Sequence, residues 1–284
     1  MKKGLPLFCC LFLLCLQSPA DTLAELALKG PLLEMIEESW DVSGGEKNQK
    51  REKFERRRFL FHEDGRLLEE YWAGPEGLEN TKILYFYDDG GNLVRKTFAQ
   101  NDTMVPDSSV YLRDQQGLLI ELVHTFTVGT YGWIYRYRYD DRGLLTEKEK
   151  LELSGEPVSL IRYRYDEKRR VVEESLLDPA GRTLAVQRFI YQADRTIREL
   201  YADGDSLTGR RTTVYNQQGD PTAQWSVLST GKAVLSLSTD YSYDSWGNWT
   251  KRVERFTLPD RVILTERLIR YGESPKAQNQ GEEE

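Results

Sequence analysis

The stretch that decides the fold is Trp133–Leu153, which has the sequence WIYRYRYDDRGLLTEKEKLEL. Aromatic residues and Arg alternate up to Tyr139, the four residues 140–143 interrupt the pattern, and a second alternating run follows. Alternation places successive side chains on opposite faces of a β-strand, and a short break containing Asp and Gly between two such runs is typical of a hairpin. The stretch therefore predicts two antiparallel strands joined by a tight turn.

The same pattern recurs along the chain at a nearly constant interval. The interval is measured between the residues that immediately precede successive predicted turns. The first five intervals are each 26 residues, and the last three are 24, 28 and 28 residues. A period of roughly 20 to 50 residues indicates a repeat architecture. We therefore predict an all-β fold, an antiparallel meander of hairpins in repeats of about 26 residues. About 17–18 strands would form one large sheet, and a sheet of that size must twist and either curl or close on itself. The positions that define the interval are Phe61, Tyr87, Arg113, Tyr139, Tyr165, Tyr191, Tyr215, Tyr243 and Tyr271.

The predicted turns carry the residues that a type I turn favours. Asp or Asn at the first position bonds the backbone two residues further on, and Gly at the fourth position tolerates a positive φ. Arg169 and Arg195 replace Gly in two repeats, where we expect a strained turn or a different one. The first position holds Asp88, Asp114, Asp140, Asp166, Asn216 and Asp244, and the fourth holds Gly65, Gly91, Gly117, Gly143, Gly219 and Gly247.

Alternation also separates the two faces of the strands. Trp133, Tyr135 and Tyr137 share one side of their strand, whereas Arg136 and Arg138 share the other. The following strands bring Glu close to these Arg residues. We predict a Tyr-rich inner face, whose burial provides most of the stability, and an outer face of cross-strand Arg–Glu pairs.

The same run disfavours a porin-like barrel with a lipid-facing outer surface. Glu147 and Glu149 lie on one face of the outgoing strand, and Lys148 and Lys150 lie on the other. Neither face is apolar enough to contact lipid.

The first twenty residues have the composition of a secretory signal peptide. A charged start precedes an apolar run from Leu5 to Leu16, and Ser18–Ala20 places small residues before a cleavage site. We predict cleavage after Ala20 and export to the periplasm or the cell surface. A lipoprotein acylated on Cys15 is less favoured, because the preceding Leu14 is not small.

The predicted mature chain differs from the full chain in charge and in cysteine content. The 284 residues carry a formal net charge of −7, and all three cysteines lie within the predicted signal peptide. Removal of that peptide leaves a charge of −9 and no cysteine for a disulfide. No later stretch approaches ~18 apolar residues, so no transmembrane segment is predicted.

The chain divides into four predicted segments. They are the signal peptide (1–20), an N-terminal cap or degenerate repeat with a polar loop at 43–51 (21–58), the repeat domain (59–271) and a disordered acidic tail (272–284). Within the cap, we expect helical turns at Thr22–Leu28 and a strand at Leu32–Val42.

The segment Tyr137-Arg138-Tyr139-Asp140-Asp141-Arg142-Gly143-Leu144 resembles the YD repeats of bacterial Rhs-type and wall-associated proteins. Tyr87–Leu93, Tyr165-Asp166 and Tyr243–Trp249 fit the same pattern, and the resemblance covers roughly residues 59–271. It implies an exported all-β protein with a carbohydrate-binding, adhesion or toxin-delivery role. The Arg that usually follows the turn Gly is mostly absent here, and the chain is short for a toxin-enclosing shell, so a shell function is disfavoured.

Residues with catalytic or metal-binding chemistry follow the repeat instead of forming a separate constellation. His62 and His124 lie in different repeats, and paired carboxylates such as Asp140/Asp141 recur at turn positions. The sequence contains no recognisable nucleophile elbow or phosphate-binding loop. We predict no enzymatic activity, no cofactor and no metal, with a carbohydrate-active enzyme as an alternative.

Four Trp residues are the predicted ligand-binding candidates, because aromatic faces stack on sugar rings. They are Trp133, Trp225, Trp246 and Trp249. Trp246 lies inside a predicted turn, where core packing would not require it. The predicted partner is an envelope protein or a glycan and not a nucleic acid, since the mature charge is negative. The first prediction is a non-catalytic exported binding or scaffolding module; the alternatives are a lectin or carbohydrate-active enzyme, and a purely structural envelope protein.

Overall fold

The computed structural model describes residues 28–43, 50–76, 79–100, 103–126, 131–204, 206–227, 231–257 and 259–272. Within these ranges the chain forms eighteen β-strands. The predicted signal peptide, nearly all of the predicted helical segment and the predicted tail beyond residue 272 lie outside the described residues. The strands are β1 (Leu32–Ser43), β2 (Lys50–Phe61), β3 (Leu67–Ala73), β4 (Glu79–Tyr87), β5 (Leu93–Gln100), β6 (Thr103–Arg113), β7 (Leu119–Phe126), β8 (Tyr131–Tyr139), β9 (Leu145–Glu152), β10 (Pro157–Tyr165), β11 (Val171–Leu177), β12 (Thr183–Tyr191), β13 (Arg195–Ala202), β14 (Ser206–Tyr215), β15 (Pro221–Val227), β16 (Ala233–Tyr243), β17 (Trp249–Thr257) and β18 (Asp260–Tyr271).

The order of the strands confirms the predicted antiparallel meander. Each strand pairs with the next one along the chain, and β1 also pairs with β18, from Leu32 opposite Tyr271 to Val42 opposite Val262. The sheet is therefore closed into a barrel and is not an open twisted sheet, which the sequence had left undecided. Closure removes the two unpaired edges that an open sheet of this size would expose.

The strand that closes the barrel comes from the segment predicted as a cap. β1 agrees closely with the predicted strand Leu32–Val42, and it lies between β2 and β18. β2 begins at Lys50, within the predicted loop at 43–51. The N-terminal segment thus contributes a full member of the ring.

The turn between β8 and β9 shows how the Asp and Gly positions work. Asp140 Oδ1 accepts the N–H groups of Arg142 and Leu144 at 3.0 and 2.8 Å. The N–H of Gly143 donates to the carbonyl of Asp140 at 2.9 Å, with φ of +74° at Gly143. This is the predicted use of the Asp side chain and of a glycine in the left-handed region.

The two turns without Gly at the fourth position differ from each other. Arg169 keeps the left-handed conformation with φ of +63°, which a non-glycine residue adopts only at a cost. Arg195 instead begins β13, and the N–H of Gln192 donates to its carbonyl across a shorter turn. One turn is therefore strained and the other is built differently, as the sequence predicts.

Two substitutions test this account of the turns. Gly143→Val is expected to lower the free energy of unfolding by about 1–3 kcal/mol, because a β-branched residue is forced to positive φ. Arg169→Gly relieves that strain but removes the hydrogen bond from Arg169 Nη2 to the Arg142 carbonyl (2.9 Å), so we expect no loss or a slight gain. Urea unfolding measures both, and equal losses would contradict the turn assignment.

The outer face carries the predicted Arg–Glu pairs. Arg136 pairs with Glu121 at 3.0 Å, and the carboxylate of Glu147 bridges Arg138 on β8 and Arg162 on β10. These side chains are partly or fully exposed, so each pair contributes only a few tenths of a kcal/mol. Around β7 to β10 the outer face is accordingly a solvated layer of charges, whereas elsewhere it also exposes apolar side chains such as Phe86 and Leu112.

The inner face near the Asp–Gly turns is covered by a belt of aromatic and Leu side chains. The belt is also tied together by tyrosine hydroxyls; Tyr139 donates to the Leu119 carbonyl at 2.8 Å, and Tyr165 repeats this bond to Leu145. It provides the main apolar burial of the fold, in agreement with the predicted Tyr-rich inner face. Its buried members, each at most 8% exposed, are Leu32, Met35, Phe59, Phe61, Leu67, Tyr85, Leu93, Tyr111, Leu119, Leu122 and Tyr137.

Among the residues that the structure describes, we found no helix with the length and apolar character needed to cross a membrane.

Candidate ligand-binding site on the inner wall

The four Trp residues predicted as a platform lie in different surroundings. Trp225 is on the outer face of β15, opposite Thr212, and is 41% exposed. Trp246 lies in the β16–β17 turn and stacks on Tyr271, with ring centroids 5.6 Å apart. Packing against Tyr271 therefore accounts for Trp246, which the sequence alone did not anticipate.

The other two Trp residues both face the interior, on β17 and β8. Trp249 lies beneath the guanidinium of Arg267, whose Cζ is 3.3 Å from the ring centroid. Trp133 lies beneath the ammonium of Lys150, whose Nζ is 3.6 Å from the ring centroid. Each of the two therefore lies against a cation of its own.

The surroundings of Trp249 form a network of paired opposite charges. Arg267 donates from Nε to Glu37 at 2.8 Å across the β1–β18 junction. Arg57, within 4.0 Å of Glu37, donates to Glu70 at 3.1 Å, and Glu70 also accepts the hydroxyl of Tyr85 at 2.8 Å. The acids and bases here neutralise each other, so we assign this network to barrel closure.

The inner-wall cluster, by which we mean His124, Trp133, Tyr135, Lys148 and Lys150, has a different charge balance. On β9, Lys150 lies opposite Tyr135 of β8, and Lys148 lies opposite Tyr137, a member of the belt on that strand. The Nζ of Lys148 is 4.7 Å from the centroid of Tyr135. Among the described residues, no carboxylate lies within 4 Å of either ammonium. Lys148 is only 9% exposed, so this is a buried cation held by aromatic rings.

The titration behaviour of the cluster reflects its burial. Burial lowers the pKa of Lys148 to about 8, despite the opposing effect of Glu174, and it also lowers the pKa of Lys150. Burial raises the pKa of Glu174, and the charge of Lys148 opposes that rise. Burial, together with Lys96 and Lys148, lowers the pKa of His124 to about 4. At pH 7 the cluster therefore holds the neutral imidazole of His124 and the ammonium of Lys148.

The cluster continues towards one end of the barrel as an aromatic lining. Exposure falls from 57% at Tyr131, where β8 begins, to 5% at Tyr137 in the belt. Phe126, Tyr131 and Trp133 are linked by ring contacts of 6.1 and 5.2 Å. Closed sheets of 16–18 strands are generally wide enough to leave space inside. The cluster is therefore approached from the end opposite the Asp–Gly turns.

A second concavity lies on the outer face over the β1–β18 junction. It encloses about 490 Å³ and is lined by residues that include Trp40 and Leu268, the latter 70% exposed. Its cations have acidic neighbours, for example Arg56, whose Nε lies 3.6 Å from Glu38. The inner-wall cluster is thus the stronger candidate for a binding site, because among the described residues no carboxylate lies within 4 Å of its lysine ammonium groups.

Sequence reasoning singled out Trp133 but missed the lysines beside it. The alternation of Glu147, Lys148, Glu149 and Lys150 already implies that the lysines lie opposite the outer Glu residues, on the face of Tyr135. That alternation identifies the face of β9 on which the two lysines lie. It does not reveal the burial of Lys148 or the absence of a carboxylate beside it.

Within the described ranges, no group of three or more His, Cys, Asp or Glu side chains is arranged to hold a metal ion.

Comparisons with known proteins give weak structural similarities. No known protein family matches the sequence, and no curated protein is significantly similar to it. A porin-like protein from Bacteroides uniformis is similar at 10% identity and a TM-score of 0.47, over 86% of this chain and 98% of that one. A porin-like protein from Bacteroides vulgatus has 10% identity and a TM-score of 0.34, over 83% and 97%. TcdB2-TccC3 without its hypervariable C-terminal region has 12% identity and a TM-score of 0.27, over 74% of this chain and 14% of that one. Similarities of this size carry no inference about function.

Proposed function

We propose that this chain is an exported, non-catalytic binding module of the bacterial cell envelope, built from YD-like repeats, which holds a glycan on the inner wall of its barrel. The observation that carries the proposal is the inner-wall cluster. Trp133 and Tyr135 offer aromatic faces for sugar rings, and the ammonium groups of Lys148 and Lys150 donate hydrogen bonds to sugar oxygens. The predicted signal peptide supports export.

The charge of Lys148 supports a binding role over a purely structural one. Burying an ammonium without a carboxylate costs free energy, and an apolar residue of similar volume would pack at this position without that cost. Stability alone therefore does not explain a lysine here, whereas a ligand that accepts hydrogen bonds does.

Binding of glycans to the purified protein, compared between two Trp variants, tests the proposal. A glycan array identifies ligands, and calorimetric titration measures their affinities. We expect Trp133→Ala to weaken binding about tenfold or more, since loss of one stacking ring costs roughly 1–2 kcal/mol. Trp225→Ala removes an exposed Trp from the outer face and is expected to leave the affinity unchanged.

The same experiment separates the alternatives. Normal binding by a folded Trp133→Ala protein would contradict an inner-wall site. Capture of an envelope protein that is insensitive to Trp133→Ala but lost with Trp225→Ala would favour scaffolding through the outer face. Hydrolysis of the bound glycan would contradict the non-catalytic part of the proposal.

A further inference from the structure

The cations of the barrel interior fall into two groups that differ in their neighbours. At the closure junction, Arg267 and Arg57 each lie within hydrogen-bond distance of a buried Glu. On β9, Lys148 and Lys150 have aromatic rings as their nearest described partners instead. The interior therefore pairs its charges directly on one side, whereas on the other side Lys148 has only the more distant carboxyl of Glu174, among the described residues, to oppose its charge.

The two lysines are also placed to act together. They are separated by one residue on the same strand and face, so their Cα atoms lie about 7 Å apart. Lys96 of β5 also carries its ammonium against an inner-face ring, 4.9 Å from the centroid of Tyr85. Of the acidic side chains of β9, Glu147 and Glu149 point to the outer face, where they pair with Arg138. Glu152, at the end of β9, lies opposite Trp133 on the inner face. β9 thus presents the ammonium groups of Lys148 and Lys150 on the inner face, and no carboxylate among the described residues lies within 4 Å of either one.

We propose that the glycan held by the inner wall is anionic, and that its carboxylate, sulfate or phosphate group binds between the ammonium groups of Lys148 and Lys150. This inference rests on the proposed function and specifies its ligand class. A charged acceptor gives shorter and stronger hydrogen bonds to ammonium than a neutral hydroxyl does. It also places a counter-charge in direct contact with Lys148, where the described residues supply only the more distant Glu174.

The contact between Lys150 and Trp133 couples anion binding to sugar stacking. The ammonium of Lys150 covers one face of the Trp133 ring at 3.6 Å. An anion competes for that ammonium, since a charge-assisted hydrogen bond is stronger than an exposed cation–π contact. Withdrawal of Lys150 uncovers the ring face for the sugar. The anionic group and the aromatic ring are therefore expected to bind a glycan cooperatively.

The first arm of the test uses simple anions. The melting temperature of the purified protein is measured against sodium sulfate and sodium phosphate, with sodium chloride at matched ionic strength as reference. We expect a saturable rise that is lost in the Lys148→Gln/Lys150→Gln double variant. Lys82→Gln, which removes an outer-face lysine that pairs with Glu69 at 3.0 Å, is expected to keep the rise. An equal rise in all three proteins would overturn the anion site.

The second arm uses an array that carries neutral, uronic-acid, sulfated and phosphorylated glycans. We expect acidic glycans to bind at least tenfold more tightly than neutral ones of the same length, and this preference to shrink at high salt. The class of acidic glycan that binds shows whether the bound anion is a carboxylate, a sulfate or a phosphate. The single variants Lys148→Gln and Lys150→Gln are each expected to abolish the preference, and circular dichroism confirms that they are folded.

The outcomes distinguish this inference from the proposed function. If neutral glycans bind as tightly as acidic ones and Lys148→Gln changes neither, the ligand is a glycan but the anionic inference is wrong. If no glycan of any class binds, the proposed function fails and the inference fails with it. A preference for acidic glycans that survives both Lys variants would place the anion elsewhere and overturn the assignment.

Discussion

Replacing Glu37 with Ala is expected to lower the free energy of unfolding by about 3–5 kcal/mol, the cost of leaving a buried guanidinium without its carboxylate. The side chains of Arg267 and Glu37 are only 6% and 10% exposed, and their bond of 2.8 Å joins β18 to β1. Nη1 of Arg267 has no hydrogen-bond partner among the described residues, so these offer little else to compensate. This strand pair closes the barrel, and hydrogen exchange in β1 and β18 should accelerate in the variant.

An exposed pair across the same two strands provides the control. Asp41 bonds Arg261, and both side chains are more than 40% exposed. Asp41→Ala is therefore expected to cost less than about 1 kcal/mol. Urea unfolding at pH 7 compares the two variants, and equal losses would contradict a special role for the buried pair. The double variant Glu37→Leu/Arg267→Met should recover most of the loss, because it removes both buried charges together.

Lys148→Met is expected to have the opposite effect and to raise the free energy of unfolding at pH 7. A fall in the pKa of Lys148 from 10.5 to about 8 corresponds to roughly 3 kcal/mol. Below pH 8 the lysine is protonated in both the folded and the unfolded chain, and the whole cost of its burial is present. Between pH 8 and 10.5 the folded state releases the proton first, so the wild-type protein gains stability as the pH rises. The advantage of the variant should therefore shrink over this window.

The neighbouring titratable groups are present in both proteins, so the comparison isolates Lys148; among them is Lys150, whose pKa is also lowered by burial. His124 of β7 is already neutral, and Tyr135 and Tyr137 of β8 have pKa values raised by burial. Glu174 of β11, whose pKa is raised, offsets part of the cost at neutral pH. Unfolding of the two proteins at pH 7, 9 and 10 provides the comparison. An advantage that stays constant over this range would show that the charge of Lys148 is not what destabilises the fold.

Opposed effects of Lys148 on stability and on ligand affinity would be informative together. A more stable Lys148→Met protein that has lost its preference for acidic glycans would identify a residue kept for binding at the expense of stability. A less stable variant with unchanged affinity would instead show that Lys148 serves in the packing of the barrel wall and not in binding.

Local features of the sequence predict much of this fold. The strand Tyr131–Tyr139, the turn at Asp140–Gly143 and the positive φ at Arg169 all follow from alternation and from turn chemistry over a few residues. The outward direction of Arg136 and Arg138 follows from the same alternation. These features are predictable because each depends on neighbours within one hairpin.

The sequence by itself therefore determined the all-β class, the order of the hairpins, the turns and the two faces of each strand. Only the tertiary structure decided that β1 meets β18 and that Arg267 finds Glu37 some 230 residues away. It also decided that no carboxylate among the described residues lies in contact with Lys148. It also placed Trp225 on the outer face, far from the surroundings of Trp133. The physical reason is that alternation specifies the face of a side chain, whereas burial and charge balance depend on which distant strands the closed ring brings together.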